Sequence, residues 1–182
     1  MARTEIPAYE SGQIITAAHA NAYWRDNELA HWARLDELAN PVMAVVGKTA
    51  SQSIPHNTVT TINWGLERLV DPASMHSNTV NNARLIAPVA GWYMMTLNCQ
   101  FDLAASGFRW VAVRDKTGAL LGIEDRDGTT NTSRYISIAG VIDLAEGDYI
   151  YVNAWQNSGG ALNFVWASDQ YPSFSLQFIR GA

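Results

Sequence analysis

The hydrophobic pattern of the chain changes at Asn40-Pro41, and this change constrains the fold more than any other feature. Before it, residues 17–39 contain neither Gly nor Pro and are rich in Ala, Leu, Glu and Arg, which predicts a helix. A residue that precedes proline is disfavoured in the helical region, so the helix is expected to end there. After it, short apolar runs alternate with polar turns, which predicts a β-sandwich or barrel.

The β-rich part consists of runs in which β-branched and aromatic residues alternate with polar ones. No fixed-period repeat relates them, which disfavours a propeller or a β-helix. We therefore predict a mainly β sandwich of about ten strands, preceded by one N-terminal helix. The runs are Val42–Ala50, Val59–Trp64, Leu66–Asp71, Ala83–Ile86, Trp92–Asp102, Phe108–Asp115, Leu120–Asp125, Ser133–Ile142, Asp148–Gln156, Ala161–Ala167 and Ser173–Ile179.

Two of these runs follow pronounced turns and are predicted to be the central strands of two facing sheets. Pro88 and Gly91 break the chain just before Trp92, and Glu146-Gly147-Asp148 precedes Tyr149. Alternation then gives each strand one face toward the core and one face away from it. The predicted core faces are Tyr93, Met95, Leu97, Cys99 and Phe101 in the first strand, and Ile150, Val152 and Ala154 in the second.

Composition and motif content exclude several function classes. The net charge of −5 lacks the clustered basic face that nucleic acid requires, and no apolar run approaches the length of a membrane-spanning helix. Cys99 is the only cysteine, so it is predicted to be a small buried hydrophobe rather than a disulfide partner or metal ligand. The four histidines have no metal-binding spacing, and no nucleophile elbow, P-loop or dinucleotide motif occurs. We expect no enzyme activity, cofactor, metal, nucleic acid or membrane insertion.

Late in the chain, exposed aromatic residues are predicted to lie beside amide side chains. Aromatic rings stack on sugars and amides hydrogen-bond to them, so this set is a candidate glycan-binding site. The alternative is that these residues fill a subunit interface or pack beneath loops. The set comprises Tyr149, Tyr151, Trp155, Asn157, Asn163, Trp166 and Tyr171.

From about Val42 to the end, the chain resembles the C1q/TNF-like jelly roll. The segments that carry this resemblance are Arg84-Leu85-Ile86-Ala87-Pro88, Gly91-Trp92-Tyr93, Leu144-Ala145-Glu146-Gly147-Asp148-Tyr149-Ile150 and Ser173-Phe174-Ser175-Leu176. In that family, similar segments lead into two central strands and form the last strand. Unlike the complement proteins, this chain has no Gly-X-Y collagen repeat.

The N-terminal part is similar to the leader of fibre and minor structural proteins of tailed bacteriophages. The leader motif is Glu10-Ser11-Gly12-Gln13-Ile14-Ile15-Thr16-Ala17-Ala18-His19-Ala20-Asn21, followed by Arg25-Asp26-Asn27. Jelly rolls of such phage proteins also tend to contain Gly-Phe-Arg and a late Asn-Ser-Gly-Gly loop. This chain has both, as Gly107-Phe108-Arg109 and Asn157-Ser158-Gly159-Gly160.

The two resemblances imply a homotrimer packed around a threefold axis and located on a virion. They predict a trimeric fibre or tail-tip component exposed for host-surface, carbohydrate-directed binding. Two alternatives stay open: a head fibre or decoration protein of the capsid without a receptor role, and a cellular, secreted C1q-like module. The latter would need an export signal, and the start of the chain shows no such pattern. Family geometry places the outer face of one sheet at the axis, with Trp92, Met94, Thr96, Asn98, Gln100, Ser175, Gln177 and Ile179 as candidate trimer contacts.

The resemblances divide the chain into residues 1–40, for virion attachment and trimerisation, and residues 41–182, the jelly roll. The predicted helix has an apolar stripe, which something must cover because an isolated helix is marginal in water. Three alternatives stay open for what covers this stripe. It can pack on its own domain, form a short parallel coiled coil between copies, or dock on a larger virion partner. The candidate attachment residues are Trp24, Arg25, Leu29 and Trp32.

Overall fold

The computed structural model describes residues 21–22, 24–32, 41–104, 106–127, 135–166 and 172–181. The chain divides into two units, Met1–Pro41 and Val42–Ala182, which are treated separately. In the first unit, residues 21–22 and 24–32 are helical, and the remainder of the predicted helix lies outside the described residues. No helix in the described part of the chain has the length and apolar character needed to span a bilayer.

In its described residues, the second unit is built from β-strands and one short 3₁₀ helix, Ala73–Met75. Most strands match the predicted runs, which confirms the mainly β class. The strands are β1 Met43–Gly47, β2 Gln52–Ile54, β3 Thr60–Thr61, β4 Leu66–Asp71, β5 Arg84–Ile86, β6 Gly91–Gln100, β7 Phe108–Asp115, β8 Leu120–Asp127, β9 Tyr135–Leu144, β10 Tyr149–Gln156, β11 Leu162–Phe164 and β12 Ser173–Arg180.

The strands form two antiparallel sheets and a small ribbon. Sheet I has the order β4-β1-β12-β6-β9, and sheet II has the order β3-β10-β7-β8 with β5 also paired to β10. The ribbon consists of β11 and β2. The two strands predicted to be central, β6 and β10, are therefore internal strands of different sheets.

The core lies between the inner faces of the sheets, as the alternation predicted. Tyr93 and Leu97 on β6 and Val152 on β10 are completely buried. Aromatic packing adds to this core, because the Trp64 ring stacks on Phe174 with 5.5 Å between centroids and meets Phe164 edge-on at 6.1 Å. Rings packed in this way bury large apolar areas and favour offset or edge-to-face contact.

Cys99 is buried with 5% of its surface exposed, in agreement with its prediction as a small core residue. Burial also raises the pKa of its thiol, because the thiolate is poorly solvated there. The thiol is therefore uncharged near neutral pH, a state that disfavours nucleophilic or metal-binding chemistry.

Three predicted strands are too long. The run Val42–Ala50 retains only β1, and the run Ala161–Ala167 retains only β11; β2, which pairs with β11, lies outside every predicted run. The run Val59–Trp64 retains only β3, although the Ile62 N–H still donates to the Val152 carbonyl at 2.9 Å. Beyond that point the chain leaves β10, since the Trp64 N–H donates instead to the Asn82 carbonyl at 2.9 Å. These boundaries depend on contacts between distant segments, which local alternation does not encode.

Candidate functional site

The outer face of sheet II carries a row of large side chains along β10. Tyr149, Tyr151, Asn153 and Trp155 alternate with the fully buried residues of the same strand. Paired residues of neighbouring antiparallel strands share a face. Tyr151 is paired with Arg84 and Arg114, and Trp155 with Trp110.

At the β5 end of this row, Arg84 lies on Tyr149. The guanidinium carbon is 4.1 Å from the centroid of the Tyr149 ring, a cation–π contact. The Tyr149 and Tyr151 rings are tilted against each other at 6.2 Å. Beside them lies an open cleft of about 410 Å³, which we call the Arg84 cleft. It is lined by Thr61, Asn63, Asn81, Asn82, Ala83, Arg84, Tyr149 and Tyr151.

At the other end of the row, Trp155 stacks on Trp110. Their ring centroids are 6.2 Å apart and the ring planes differ by 14°. Trp110 is in turn paired with Asp125 of β8, so a carboxylate lies on the same face. The candidate glycan-binding residues predicted from the sequence therefore contribute three members, Tyr149, Tyr151 and Trp155, to one surface.

The other predicted ligand-binding residues do not lie on this face. The Asn157 side chain accepts the Phe108 N–H at 2.5 Å, so its oxygen already has a structural partner. Asn163 belongs to β11 and donates to the Asp102 carboxylate at 2.8 Å. Trp166 follows β11, where its backbone N–H donates to Ser51 Oγ at 3.0 Å. Tyr171 lies outside the described residues.

The sequence reasoning missed the amide groups of the cleft. Asn63 lies within the predicted run Val59–Trp64, and Asn81 and Asn82 lie between two predicted runs, so the pattern assigns none of them to binding. Asn81 does form a turn, with a positive φ of 53°. The signal that could have located the cleft is the Asn81-Asn82 pair, which is separated from Arg84 only by Ala83, because the strand beginning at Arg84 pairs with the one beginning at Tyr149.

The outer face of sheet I carries the candidate trimer contacts. Trp92, Met94 and Ile179 are 37%, 42% and 50% exposed. Strand pairing places two further apolar residues on this outer face, and neither was among the predicted contacts. They are Val141, which is paired with Met94, and Leu69, which is paired with Val45. Thr96, Asn98, Ser175 and Gln177 share this face and are exposed or half-buried. Gln100 is only 6% exposed, so it has little surface to offer a neighbouring copy.

The candidate attachment residues lie in the helical part of the first unit. Trp24, Leu29 and Trp32 are 70%, 60% and 61% exposed in the isolated chain. Arg25 forms an ion pair with its neighbour Asp26 at 3.5 Å. Their role in attachment remains a prediction. Among the described residues, no group of three or more His, Cys, Asp or Glu side chains is placed to hold a metal ion.

Solved structures that superpose on this chain include TNF- and C1q-type proteins. The Eiger TNF of S. frugiperda superposes with a TM-score of 0.57 at 12% identity, covering 78% of this chain and 95% of that one. Murine APRIL at pH 5.0 superposes with a TM-score of 0.55 at 15% identity, and the match covers 75% of this chain and 98% of that one. The globular domain of zebrafish complement 1qA superposes with a TM-score of 0.54 at 12% identity, and the match covers 78% of this chain and 99% of that one.

The fold is a TNF/C1q-like jelly roll. This confirms the predicted fold class, and at these identities the likeness shows the fold alone. No protein-family model matches the chain. The jelly-roll chain is 34% identical over 119 residues to an uncharacterised protein of Acanthamoeba polyphaga mimivirus, covering 62% of this chain and 50% of that protein. It thus spans about half the length of the curated relative that it matches.

Proposed function

We propose that this chain is a homotrimeric, non-catalytic module of a viral particle that presents the outer face of sheet II to host-surface glycans. The observation that carries the proposal is the contrast between the two outer faces of the jelly roll. The outer face of sheet I carries the exposed apolar residues Trp92, Met94 and Val141, whereas the outer face of sheet II carries aromatic rings beside an arginine and amides at the Arg84 cleft. The first surface suits contact between copies, and the second suits contact with a polar ligand.

Apolar exposure on sheet I supports the trimer. Met94 and its cross-strand neighbour Val141 are 42% and 58% exposed, which is unfavourable in water for paired apolar side chains. Contiguous apolar patches on soluble proteins mark interaction sites. The two other copies of a trimer would cover this patch around the threefold axis.

Polar side chains on the same face are already paired within the chain. Thr96 and Ser175 share a hydrogen bond of 2.6 Å between their hydroxyls, and Ser137 donates to Asn98 Oδ1 at 2.7 Å. Burying polar groups that already have hydrogen-bond partners costs much less than burying unpaired ones. Sheet I can therefore be buried against copies of itself without leaving these groups unsatisfied.

The viral assignment draws on the mimivirus relative and on the leader motif that begins at Glu10. In its finer form, the proposal is a fibre or tail-tip component of a tailed phage, made in the host cytoplasm and exposed on the virion. Residues 1–40 would attach it to other virion proteins. The second candidate is a head decoration protein without a receptor role, favoured if sheet II meets only neighbouring virion proteins.

The test is to locate the chain in an electron-microscopy map of the particles whose genome encodes it. The proposal predicts threefold density, with the helical unit toward the particle and sheet II toward solvent. Density on the head with sheet II covered would favour the decoration role. Absence of the chain from purified particles, together with its recovery from the medium of producing cells, would overturn the viral assignment in favour of a secreted module.

A further inference from the structure

We propose that the Arg84 cleft binds a sugar residue that carries a carboxylate, such as a uronic or sialic acid. This inference rests on the proposed glycan-directed role of sheet II and names the ligand class of that surface. Among the described residues that line the cleft, Arg84 contributes the only charge, and no carboxylate faces it from the lining. On a chain with a net charge of −5, this makes the cleft a local site of positive charge.

The Arg84 guanidinium is oriented, but it has no hydrogen-bond acceptor among the residues that the structure describes. It lies over the Tyr149 ring at 4.1 Å, and no described residue receives a hydrogen bond or forms an ion pair with its N–H groups. Other arginines of the jelly roll are engaged: Arg109 donates to the Asp102 carbonyl at 3.2 Å, and Arg114 to the Gly118 carbonyl at 2.7 Å. A planar guanidinium with free donors matches the two oxygens of a carboxylate.

Amide groups beside Arg84 supply the recognition of sugar hydroxyls. The side chains of Asn63, Asn81 and Asn82 line the cleft, and none of them bonds to another described residue. Each amide offers two donors and an acceptor, and the Tyr151 hydroxyl adds a further group. Adjacent hydroxyls of a sugar ring present the complementary donors and acceptors, whereas a simple carboxylate would leave these amides unused.

The base of the cleft is held rigidly before any ligand arrives. The Asn82 carbonyl accepts the Trp64 N–H at 2.9 Å and the His76 Nε2–H at 3.3 Å. The Asn81 carbonyl accepts the Arg84 N–H at 3.0 Å and closes the turn. Because these bonds fix the amide-bearing loop, binding needs little ordering, and such preorganisation favours affinity.

The experiment is calorimetric titration of the full chain with glucuronic acid and N-acetylneuraminic acid, compared with glucose, N-acetylglucosamine and acetate. We expect saturable binding of at least one sugar acid and none of the neutral sugars or acetate over the same range. Arg84→Gln should weaken binding at least about tenfold, because it removes a charge-assisted pair. Arg126→Gln, a surface arginine paired with Glu124 on β8, is the matched control and should bind like the wild type.

Three results would overturn the inference: no binding of either acid, equal binding of neutral sugars, or binding that survives Arg84→Gln. Acetate binding as tight as the sugar acids would also overturn it, because the cleft would then be a general anion site. Circular dichroism of each variant checks that it is folded. The native mass of the wild type is read in parallel, so that a trimer without sugar-acid binding refutes this inference alone, whereas a monomer refutes the proposed function.

Discussion

Asn157 lies so close to Gly107 that position 107 has no room for a side chain. A Cβ atom added to Gly107 would lie 2.7 Å from both the carbonyl and the side-chain oxygen of Asn157, and Gly107 has a φ of 78°. The Asn157 N–H also donates to the Phe108 carbonyl at 3.0 Å. Thus the Gly-Phe-Arg and Asn-Ser-Gly-Gly segments, which are distant in sequence, form one structural unit.

Replacing Gly107 with Ala is therefore expected to destabilise the jelly roll. The new methyl group meets backbone oxygen at a distance that real side chains do not adopt, and positive φ adds about 1–2 kcal/mol for an L-residue. Urea denaturation of the full chain measures the change. Gly160→Ala is the matched control, since nothing lies within 4 Å of its added Cβ, and equal midpoints for the two variants would contradict the account.

Lys48 should make stability depend on pH. Burial lowers its pKa from 10.5 to about 8, because the ammonium group loses solvation. Between these values the unfolded chain binds more protons than the folded chain, so the free energy of unfolding contributed by Lys48 increases with pH. Below about pH 8 the penalty of burying the charge is fully present, and above 10.5 no further change is expected.

The measurement compares urea unfolding of wild type and Lys48→Met between pH 7 and pH 11. The wild type should gain stability relative to the variant across that window, by about 1.4 kcal/mol for each unit of pKa difference. Lys116→Met, at an exposed lysine on the turn after β7 that pairs with Asp148, is the control: it keeps Lys48, so its stability should rise with pH through the Lys48 window as that of the wild type does. Parallel curves for wild type and Lys48→Met would show that burial does not perturb this amine.

Met94→Lys should disrupt the assembly of copies. Met94 lies on the outer face of sheet I between Gln177 of β12 and Val141 of β9, and a trimer would bring its charged replacement into a buried contact, which costs several kcal/mol. We expect the native mass to fall to that of one chain while circular dichroism is unchanged. The control is Ile123→Lys on β8 of sheet II, where Ile123 is 52% exposed against 42% for Met94, and this change should leave the mass unaltered.

Deleting residues 1–40 should separate attachment from folding. The hydrophobic cluster of the β-unit is formed by residues from Val42 onward, so the truncated chain should remain soluble and folded. It should no longer be incorporated into particles, because the exposed Trp24, Leu29 and Trp32 would be gone. Particle composition is measured by mass spectrometry. Normal incorporation would identify the jelly roll as the anchor, and failure to fold would show that the helix belongs to the core.

Sequence reasoning succeeded where local periodicity determines the outcome. The inward face of β6 and that of β10 are buried as the alternation predicted, with Leu97 and Val152 completely inaccessible. A strand buried on one face must alternate with period two, so this information is local. The separation of the two central strands into different sheets was likewise predicted locally, from the turns that precede Trp92 and Tyr149.

Prediction from the sequence failed where segments that are distant along the chain meet in the fold. Nothing near Asn157 in sequence indicates that its amide oxygen caps the Phe108 N–H, so this residue was assigned to ligand binding instead. The Arg84 cleft likewise depends on two features: the pairing of β5 with β10, and the turn at Asn81 that precedes β5. Such sites arise from long-range pairing, which a single sequence does not display.

The central claim is that three copies of the chain pack through the outer face of sheet I. Native mass spectrometry of the purified full chain, supported by sedimentation velocity, tests it most directly. The account predicts one species with the mass of three 20.0 kDa chains, which Met94→Lys reduces to the mass of one. A monodisperse monomer of the wild type at micromolar concentration would contradict the account.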